Sequence, residues 1–320
     1  MALKAHEREV LYTDIIVRRR ADQAPFPPLT ALADIWVRAQ VEKLPPKKFE
    51  KGTVTVIIAD SHLDLLDDTV TLLISVADSN ASDATYADHV SRVSRDIAKN
   101  PTEGNEYSAH VVFSLKERAG YPQTYACLIE RVPTLSVARL QSVLNDLISR
   151  QCKEDETTFT YKGVGGQKKA KPFIPNVLIE TQASEQFEKD IEAGKLSGLR
   201  LSKPAVTTAS TSMGPFLKLQ DYSLNVKISP DLPKGQRWQT IKKAIIAKSA
   251  EFQKARLYLQ PVDAASSTSV DFDANTGNLL GEAYARKRRI GPLNPLLRNG
   301  SQKIATHLEG EMLKLLKAET

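Results

Sequence analysis

The sequence contains few cysteines and histidines, and it has no long hydrophobic run. Its two cysteines, Cys127 and Cys152, are too few for a disulfide framework, and their spacing matches no metal or redox motif. The longest apolar runs, such as residues 54–59, have the length of a strand, and the first residues lack the apolar segment of a secretion signal. These absences predict a soluble, cytoplasmic protein in a reducing compartment.

The sequence also lacks the motifs of the common catalytic sites. It contains no Gly-x-Ser-x-Gly nucleophile elbow, and its five histidines are scattered. The glycine-rich residues 163–166 are followed by Lys168, but the Gly-Lys-Ser/Thr ending of a phosphate-binding loop is missing, so this stretch predicts a hinge. We therefore nominate no catalytic residue, metal ligand or cofactor, and the sequence favours a protein that is not an enzyme.

One pattern keeps a metal-dependent phosphoesterase or nuclease open as an alternative. Asp60 and His62 follow a predicted strand, and an Asp-x-His pair at a strand end can place two metal ligands on one side of a site. The same residues also fit an acidic surface turn. A nuclease core would need a lysine two residues after Glu282, where the chain has Tyr284.

Positive charge is concentrated in the last third of the chain. The whole sequence has 44 Lys and Arg against 38 Asp and Glu, a net charge of +6. Residues 200–299 hold sixteen Lys and Arg against seven Asp and Glu, a net of +9, so the remaining residues sum to −3. A run of four cations, residues 286–289, ends a predicted hairpin whose turn is at residues 275–277.

This charge distribution predicts binding to the phosphate backbone of a nucleic acid, since Lys and Arg neutralise phosphates without reading sequence. Motifs that read bases are missing, so we expect weak specificity, with duplex DNA as the first partner and RNA as the second. A solvated charge run and a subunit of a larger nucleoprotein or defence assembly remain alternatives. The predicted nucleic-acid-binding residues are Arg286, Lys287, Arg288, Arg289, Lys242, Lys243, Lys168, Lys169 and Lys171.

Hydrophobic periodicity predicts an α+β fold with two lobes of antiparallel or mixed sheets flanked by helices. The predicted domains are residues 1–162, a glycine-rich basic linker or arm at 163–172, and residues 173–320. Helices are predicted after Thr30 as N-cap and over residues 86–98, 134–150, 184–194, 237–250 and 301–320. Strands are predicted over residues 10–20, 53–59, 69–77, 110–116, 124–131, 173–180, 222–228, 255–260 and 269–272.

The last predicted helix carries a narrow apolar stripe of Ile304, Leu308, Met312 and Leu315. Such a stripe either docks on the core of its own chain or pairs with a second copy. A two-fold dimer would double the basic surface available to DNA.

The order of these elements resembles the RexA family of lambda-type prophage exclusion, or abortive infection, proteins. The resemblance covers the strand at 69–77, the polar segment with a predicted short helix at 79–101, the strands and helix up to 150, and residues 222–294 before the final helix. It implies a homodimeric, non-enzymatic DNA-binding protein of antiviral defence that works with a separate membrane effector protein. Residues 1–44 have no counterpart in that pattern.

Overall fold

The computed structural model describes residues 3–19, 21, 23–162, 170–193, 195–204, 221–229, 231–233, 235–261, 268–274, 279–280 and 284–319. The fold is α+β, as the sequence predicts, with helices packed on antiparallel sheets.

The strands, in chain order, are β1 (Arg8–Arg18), β2 (Lys47–Phe49), β3 (Val54–Asp64), β4 (Thr69–Asp78), β5 (Ala84–Asp88), β6 (Val93–Ile97), β7 (Asn105–Arg118), β8 (Tyr121–Glu130), β9 (Thr160–Tyr161), β10 (Lys171–Pro172), β11 (Asn176–Thr181), β12 (Lys195–Pro204), β13 (Asp221–Val226), β14 (Lys254–Gln260), β15 (Thr268–Asp273) and β16 (Lys287–Ile290). The helices are α1 (Leu29–Val41), α2 (Val137–Glu154), α3 (Glu185–Ala193), α4 (Arg237–Ala247) and α5 (Thr306–Lys317).

The chain divides into two compact units. Unit 1 consists of Met1–Ile179 and Arg288–Thr320, and unit 2 consists of Glu180–Lys287. These bounds differ from the predicted domains, because residues 173–179 and the C-terminal helix belong to unit 1. The C-terminal residues return to unit 1 because β16 pairs with β1. A pairing between strands so far apart in the chain cannot be inferred from a local sequence pattern.

Unit 1 is built on a sheet with the strand order β11-β1-β8-β7-β4-β3-β2. The central strands β1 and β4 are buried on both faces, which explains their continuous apolar runs. Phe113 and Val112 are neighbours on β7, so they point to opposite faces. Phe113 contacts Trp36 of α1, whereas Val112 packs with α5. The helices α1 and α2 therefore cover one face, and α5 covers the other.

The apolar stripe of α5 docks on the core of its own chain. Leu308, Met312 and Leu316 are each at most 1% exposed, and they pack against Val10 of β1 and neighbouring strands. The helix begins at Thr306 and not near Ser301, because Ser301 Oγ accepts a hydrogen bond from the backbone N–H of Lys303 in a local turn. Leu316 faces the core more fully than the predicted Leu315.

A buried charge network lies under α5. Arg8 Nε donates to Glu130 Oε1 at 2.7 Å, and both side chains are 2% exposed. His110 Nδ1 lies 2.7 Å from Glu130 Oε2, and Arg8 Nη2 donates to the carbonyl of Arg298 at 2.9 Å. This network connects β1, β7 and β8 to the segment that leads into α5.

Unit 2 contains a second sheet with the order β13-β12-β14-β15, in which each neighbouring pair is antiparallel. Phe187 of α3 and Trp238 of α4 contact each other with ring centroids 5.0 Å apart, and both contact Phe272 of β15. Leu199 of β12 and Leu257 of β14 join the same core. Both helices therefore pack on one face of this sheet.

Other sequence predictions of local structure are also wrong or incomplete. Residues 86–98 form the hairpin β5–β6 and not a helix, because the Asp88 carboxylate accepts the backbone N–H groups of Val90 and Ser91 and closes a turn. Helix α1 has Pro28, not Thr30, at its N-cap. Strand β12 was not predicted. Residues 163–169 and 275–277, for which an arm and a turn were predicted, lie outside the described residues.

Among the described residues, no helix is long and apolar enough to span a bilayer.

Removal of one partner tests the buried network. Replacing Glu130 with Ala leaves the Arg8 charge buried without its counterion, so we expect a loss of about 3–5 kcal/mol in the free energy of unfolding. Glu9 provides a matched control, because its carboxylate pairs with Arg131 at 2.9 Å one residue along the chain from the buried pair, but both side chains are about one-third exposed. Glu9→Ala should cost less than about 1 kcal/mol. Urea unfolding of both variants measures the difference, and equal losses of stability would contradict it.

Candidate nucleic-acid interface

The predicted run of four cations is divided between the two units. Arg286 and Lys287 belong to unit 2, whereas Arg288 and Arg289 belong to unit 1. Residues 287–290 form strand β16, and Ile290 is buried in the α5 core, which fixes the backbone of Arg288 and Arg289 in unit 1. Arg289 Nε lies 3.8 Å from the carboxylate of Glu7, and the Arg289 side chain is 66% exposed. Arg289 therefore keeps most of its surface in solvent.

Arg286 is held by residue Gln182 within unit 2. Its backbone N–H donates to the Gln182 carbonyl at 2.7 Å, and Nη1 donates to Gln182 Oε1 at 3.2 Å. A cavity of about 490 Å³ beside Arg286 and Lys287 is also lined by Glu185 and Glu188 at the start of α3. Carboxylates in this cavity weaken its attraction for an anion.

Tyr284 anchors the segment that leads into Arg286. Its ring contacts Phe187 of α3, and its hydroxyl donates to Asp190 Oδ2 at 2.9 Å. Burial and this hydrogen bond raise the pKa of Tyr284 to about 12. The start of α3 is capped as predicted, because Ser184 Oγ accepts the backbone N–H of Phe187 at 3.2 Å.

The predicted lysines lie on other elements. Lys242 and Lys243 are on α4, where Lys243 is exposed and Lys242 is half-buried, while Trp238, Ile241 and Ile245 of the same helix enter the core of unit 2. Lys171 is exposed on β10, which pairs with β9 in unit 1. Lys168 and Lys169 lie outside the described residues.

A second polar surface, which the sequence reasoning missed, lies on the sheet of unit 2. Arg200 of β12 is opposite Arg256 of β14, which in turn is opposite Asp271 of β15. Side chains of directly opposed residues share a face, and Arg200 lies between the buried Leu199 and Leu201 along its strand. This face is therefore the one without α3 and α4. We name it the outer sheet face; its described members are Arg200, Ser202, Ser223, Asn225, Lys254, Arg256, Tyr258, Gln260, Ser269, Asp271 and Asp273.

The charges of the outer sheet face are partly ordered by an ion pair. Arg256 donates from Nε to Asp271 Oδ1 at 2.6 Å and from Nη2 to Oδ2 at 2.8 Å, and this bidentate contact raises the pKa of Arg256. The Arg256 side chain is still 49% exposed. Lys254 is exposed beside it, and Tyr258 is half-buried two residues further along β14. The face combines three cations, polar side chains and one aromatic ring with two carboxylates, Asp271 opposite Arg256 and the buried Asp273 opposite Lys254.

The sequence did contain a signal for this face. The alternation Leu199-Arg-Leu-Ser-Lys203 has the period of a strand with one buried face. Glycine at 198 and proline at 204 make the same stretch look like a loop, so β12 was overlooked. Without β12 the register that brings Arg200 opposite Arg256 could not be inferred.

The alternative metal site is occupied by contacts within the chain. Asp60 and His62 lie within β3 and not after its end, because the strand continues to Asp64, and they share one face of it. Asp60 Oδ2 accepts the backbone N–H of Ile304 at 3.0 Å. His62 Nδ1 lies 2.9 Å from Glu309 Oε1 of α5. In the part of the chain that the structure describes, no three His, Cys, Asp or Glu side chains are grouped to hold a metal. Glu282, part of the nuclease pattern, lies outside that part.

No protein-family model matches the chain, and no curated protein is similar enough in sequence to count as a relative.

The anchoring role of Tyr284 gives a pH-dependent prediction. The folded protein keeps the Tyr284 proton up to about pH 12, whereas an unfolded chain releases it near pH 10, so this contribution to stability is complete below pH 10 and is lost between pH 10 and 12. Burial also raises the pKa of Tyr125, so an ultraviolet titration of phenolate absorbance should show a late component that Tyr284→Phe reduces by the absorbance of one tyrosine. The exposed Tyr121 serves as control, and Tyr121→Phe should retain the late signal. Loss of that signal from the control alone would contradict the assignment.

Proposed function

We propose that this protein binds nucleic acid, with duplex DNA as its main partner, through contacts to the phosphate backbone. The observation that carries the proposal is the outer sheet face of unit 2. Both helices of the unit pack on the opposite face, and the outer face presents Arg200, Lys254 and Arg256 on a rigid sheet. A fixed array of cations binds phosphates at a lower entropic cost than cations on a loose chain.

Cations outside this face have the same chemistry, although α4 packs on the opposite face of the sheet and its Lys242 is half-buried. Lys242 and Lys243 of α4 and residues 286–289 all lie within the basic last third of the chain. Each cation that neutralises a phosphate releases a counterion, so affinity should fall steeply as salt rises. We assign these residues a supporting role, because Glu185 and Glu188 line the cavity beside Arg286 and Lys287. Arg256 is also paired with a carboxylate, but about half of its side chain stays exposed to solvent.

A role in prophage exclusion or another antiviral defence is part of the proposal, and it rests on the order of elements alone. The structure has a hairpin at residues 84–97 where that resemblance expected a short helix, which weakens the resemblance in this segment.

The contacts of Asp60 and His62 disfavour the phosphoesterase alternative. Asp60 already binds the segment before α5, and His62 already binds α5 itself.

A triple variant tests the outer sheet face. Replacing Arg200, Lys254 and Arg256 together with Gln should weaken binding to a duplex of arbitrary sequence and lower the slope of log K against log salt by about 1 for each phosphate that is no longer neutralised. Fluorescence anisotropy at several salt concentrations measures both quantities. A second variant that changes Arg286, Lys287, Arg288 and Arg289 to Ala should have a smaller effect for each charge removed.

The control removes the same charge from the surface of unit 1. Lys116, Lys314 and Lys317 are each more than half exposed, and their replacement by Gln should leave the salt slope close to that of the natural chain. Equal weakening by the control and the test variant would show that only net charge matters. Absence of salt-sensitive binding to DNA by the natural chain would reject the proposal outright.

A further inference from the structure

Tyr258 of β14 is the aromatic residue of the outer sheet face, and its neighbours across the sheet are small. It lies opposite Gly198 of β12 on one side and opposite Ser269 of β15 on the other. Side chains of directly opposed residues are close enough to contact each other, so a large residue at either position would cover a flank of the ring. Glycine has no side chain, and the short side chain of Ser269 is exposed. The two residues directly opposite therefore leave both flanks of the Tyr258 ring open.

The backbone does not require a glycine at position 198. The φ angle of Gly198 lies outside the left-handed region that favours glycine, and an added Cβ would meet the carbonyl oxygen of Val226 at 3.5 Å, an ordinary van der Waals distance. The extra residue of the neighbouring bulge is Ser197, whereas Gly198 is paired with Tyr258. Glycine inside a strand lowers stability and often marks a place where a ligand approaches closely. The ring that such a ligand would approach here is Tyr258.

Two arginines lie beside this ring on the same face. Arg256 precedes Tyr258 by two residues on β14, and Arg200 follows Gly198 by two residues on β12, so each lies about 7 Å along its strand. The Asp271 carboxylate is the main cause that raises the pKa of Arg256, and the Tyr258 hydroxyl contributes to it through a hydrogen bond. An aromatic ring beside guanidinium groups is suited to bind a nucleobase by stacking and its phosphate by charge.

The carboxylates of the face determine on which side of the ring a phosphate chain would lie. Asp271 and Asp273 are both on β15, whereas β12 contains no acidic residue. Repulsion from β15 and attraction to Arg200 would place the phosphates over β12. Asn225 of β13 lies opposite Arg200 and adds a polar side chain to this part of the face. A nucleic-acid strand that follows β12 would have phosphates beside Arg200 and one base within reach of Tyr258.

We propose that Tyr258 stacks with one unpaired base of a bound nucleic acid, while Arg200 holds the adjacent phosphate. This inference rests on the proposed function and deepens it, because it names what the outer sheet face receives: a single-stranded stretch next to a duplex. A base in the interior of a duplex is stacked on both of its faces, so only an unpaired base has a free face for the ring. Every base has a π-face, so stacking adds affinity with little sequence preference.

A duplex with a single-stranded extension of about ten nucleotides tests the stacking. The matched probe carries an abasic extension of the same length, which has the same phosphates but no bases. In fluorescence anisotropy at constant salt, the natural chain should bind the extension with bases on the order of 10-fold more tightly than the abasic one. Tyr258→Ala should lose this advantage, and Tyr258→Phe should keep it. Neither variant should change the affinity for a blunt duplex or its salt slope, because the cations remain.

Two further variants separate stacking from a loss of structure. Gly198→Val leaves Tyr258 in place but fills the space beside its ring, so it should also lose the advantage of the extension with bases. Tyr222→Ala is the matched control, because Tyr222 is 47% exposed on β13 of the same sheet but points to the opposite face. This control should keep the full advantage.

Three results would overturn the stacking. They are equal binding of both extensions by the natural chain, an advantage that survives in Tyr258→Ala, and equal weakening of blunt and extended duplexes in that variant. The blunt duplex alone reports on the proposed function, so the two failures are distinguishable. Repeating the titration with a ribonucleotide extension identifies the source of the unpaired base, because the 2′-hydroxyl distinguishes RNA from DNA. The extension that binds more tightly is then the preferred ligand.

Discussion

The carboxylate of Glu130 is the group on which the architecture of unit 1 depends. Arg8 binds one of its oxygens and His110 binds the other, each at 2.7 Å. The opposite ring nitrogen of His110, Nε2, accepts the backbone N–H of Ala305 at 2.9 Å, so the single ring proton lies on Nδ1 and the ring is neutral. The network therefore buries one cation with one anion and satisfies their polar atoms, which is the condition under which a buried ion pair is tolerated.

The same network determines where the C-terminal helix begins. Ala305 is held by His110, and α5 starts at the next residue, so its apolar stripe is aligned with the sheet from the first turn. Asp60 binds the backbone N–H of Ile304, and His62 binds Glu309 within α5. The Asp60 carboxylate and the His62 imidazole could serve as metal ligands, but they are equally suited to bind the backbone N–H of Ile304 and the carboxylate of Glu309. Composition and spacing cannot distinguish the two uses, and only the position of the C-terminal segment does so.

The sequence predicted those elements whose pattern is complete within one segment. Strands β4 and β8 and helix α2 follow from apolar runs and helical spacing, and the structure shows that the stripe of α5 takes the first of its two predicted uses, docking on its own core. The misses arise where the outcome depends on a distant partner: β12 is stabilised by two neighbouring strands despite its glycine and proline, and β16 returns to β1 across the chain. The run of four cations is contiguous, so the sequence shows it directly. The outer sheet face is assembled from separate strands, so it can be recognised only from the register of β12 with β14.

The shape of the outer sheet face limits what it can read. Four strands about 4.8 Å apart span roughly 14 Å between the axes of the outer strands, before side chains are added. The major groove of DNA is about 12 Å wide, so a face of this width would lie across the backbones in the complex proposed above. Arg256 is further constrained, because Asp271 holds its guanidinium close to the sheet. The proposed binding would therefore be directed at phosphates, which is why weak sequence specificity is part of the proposal.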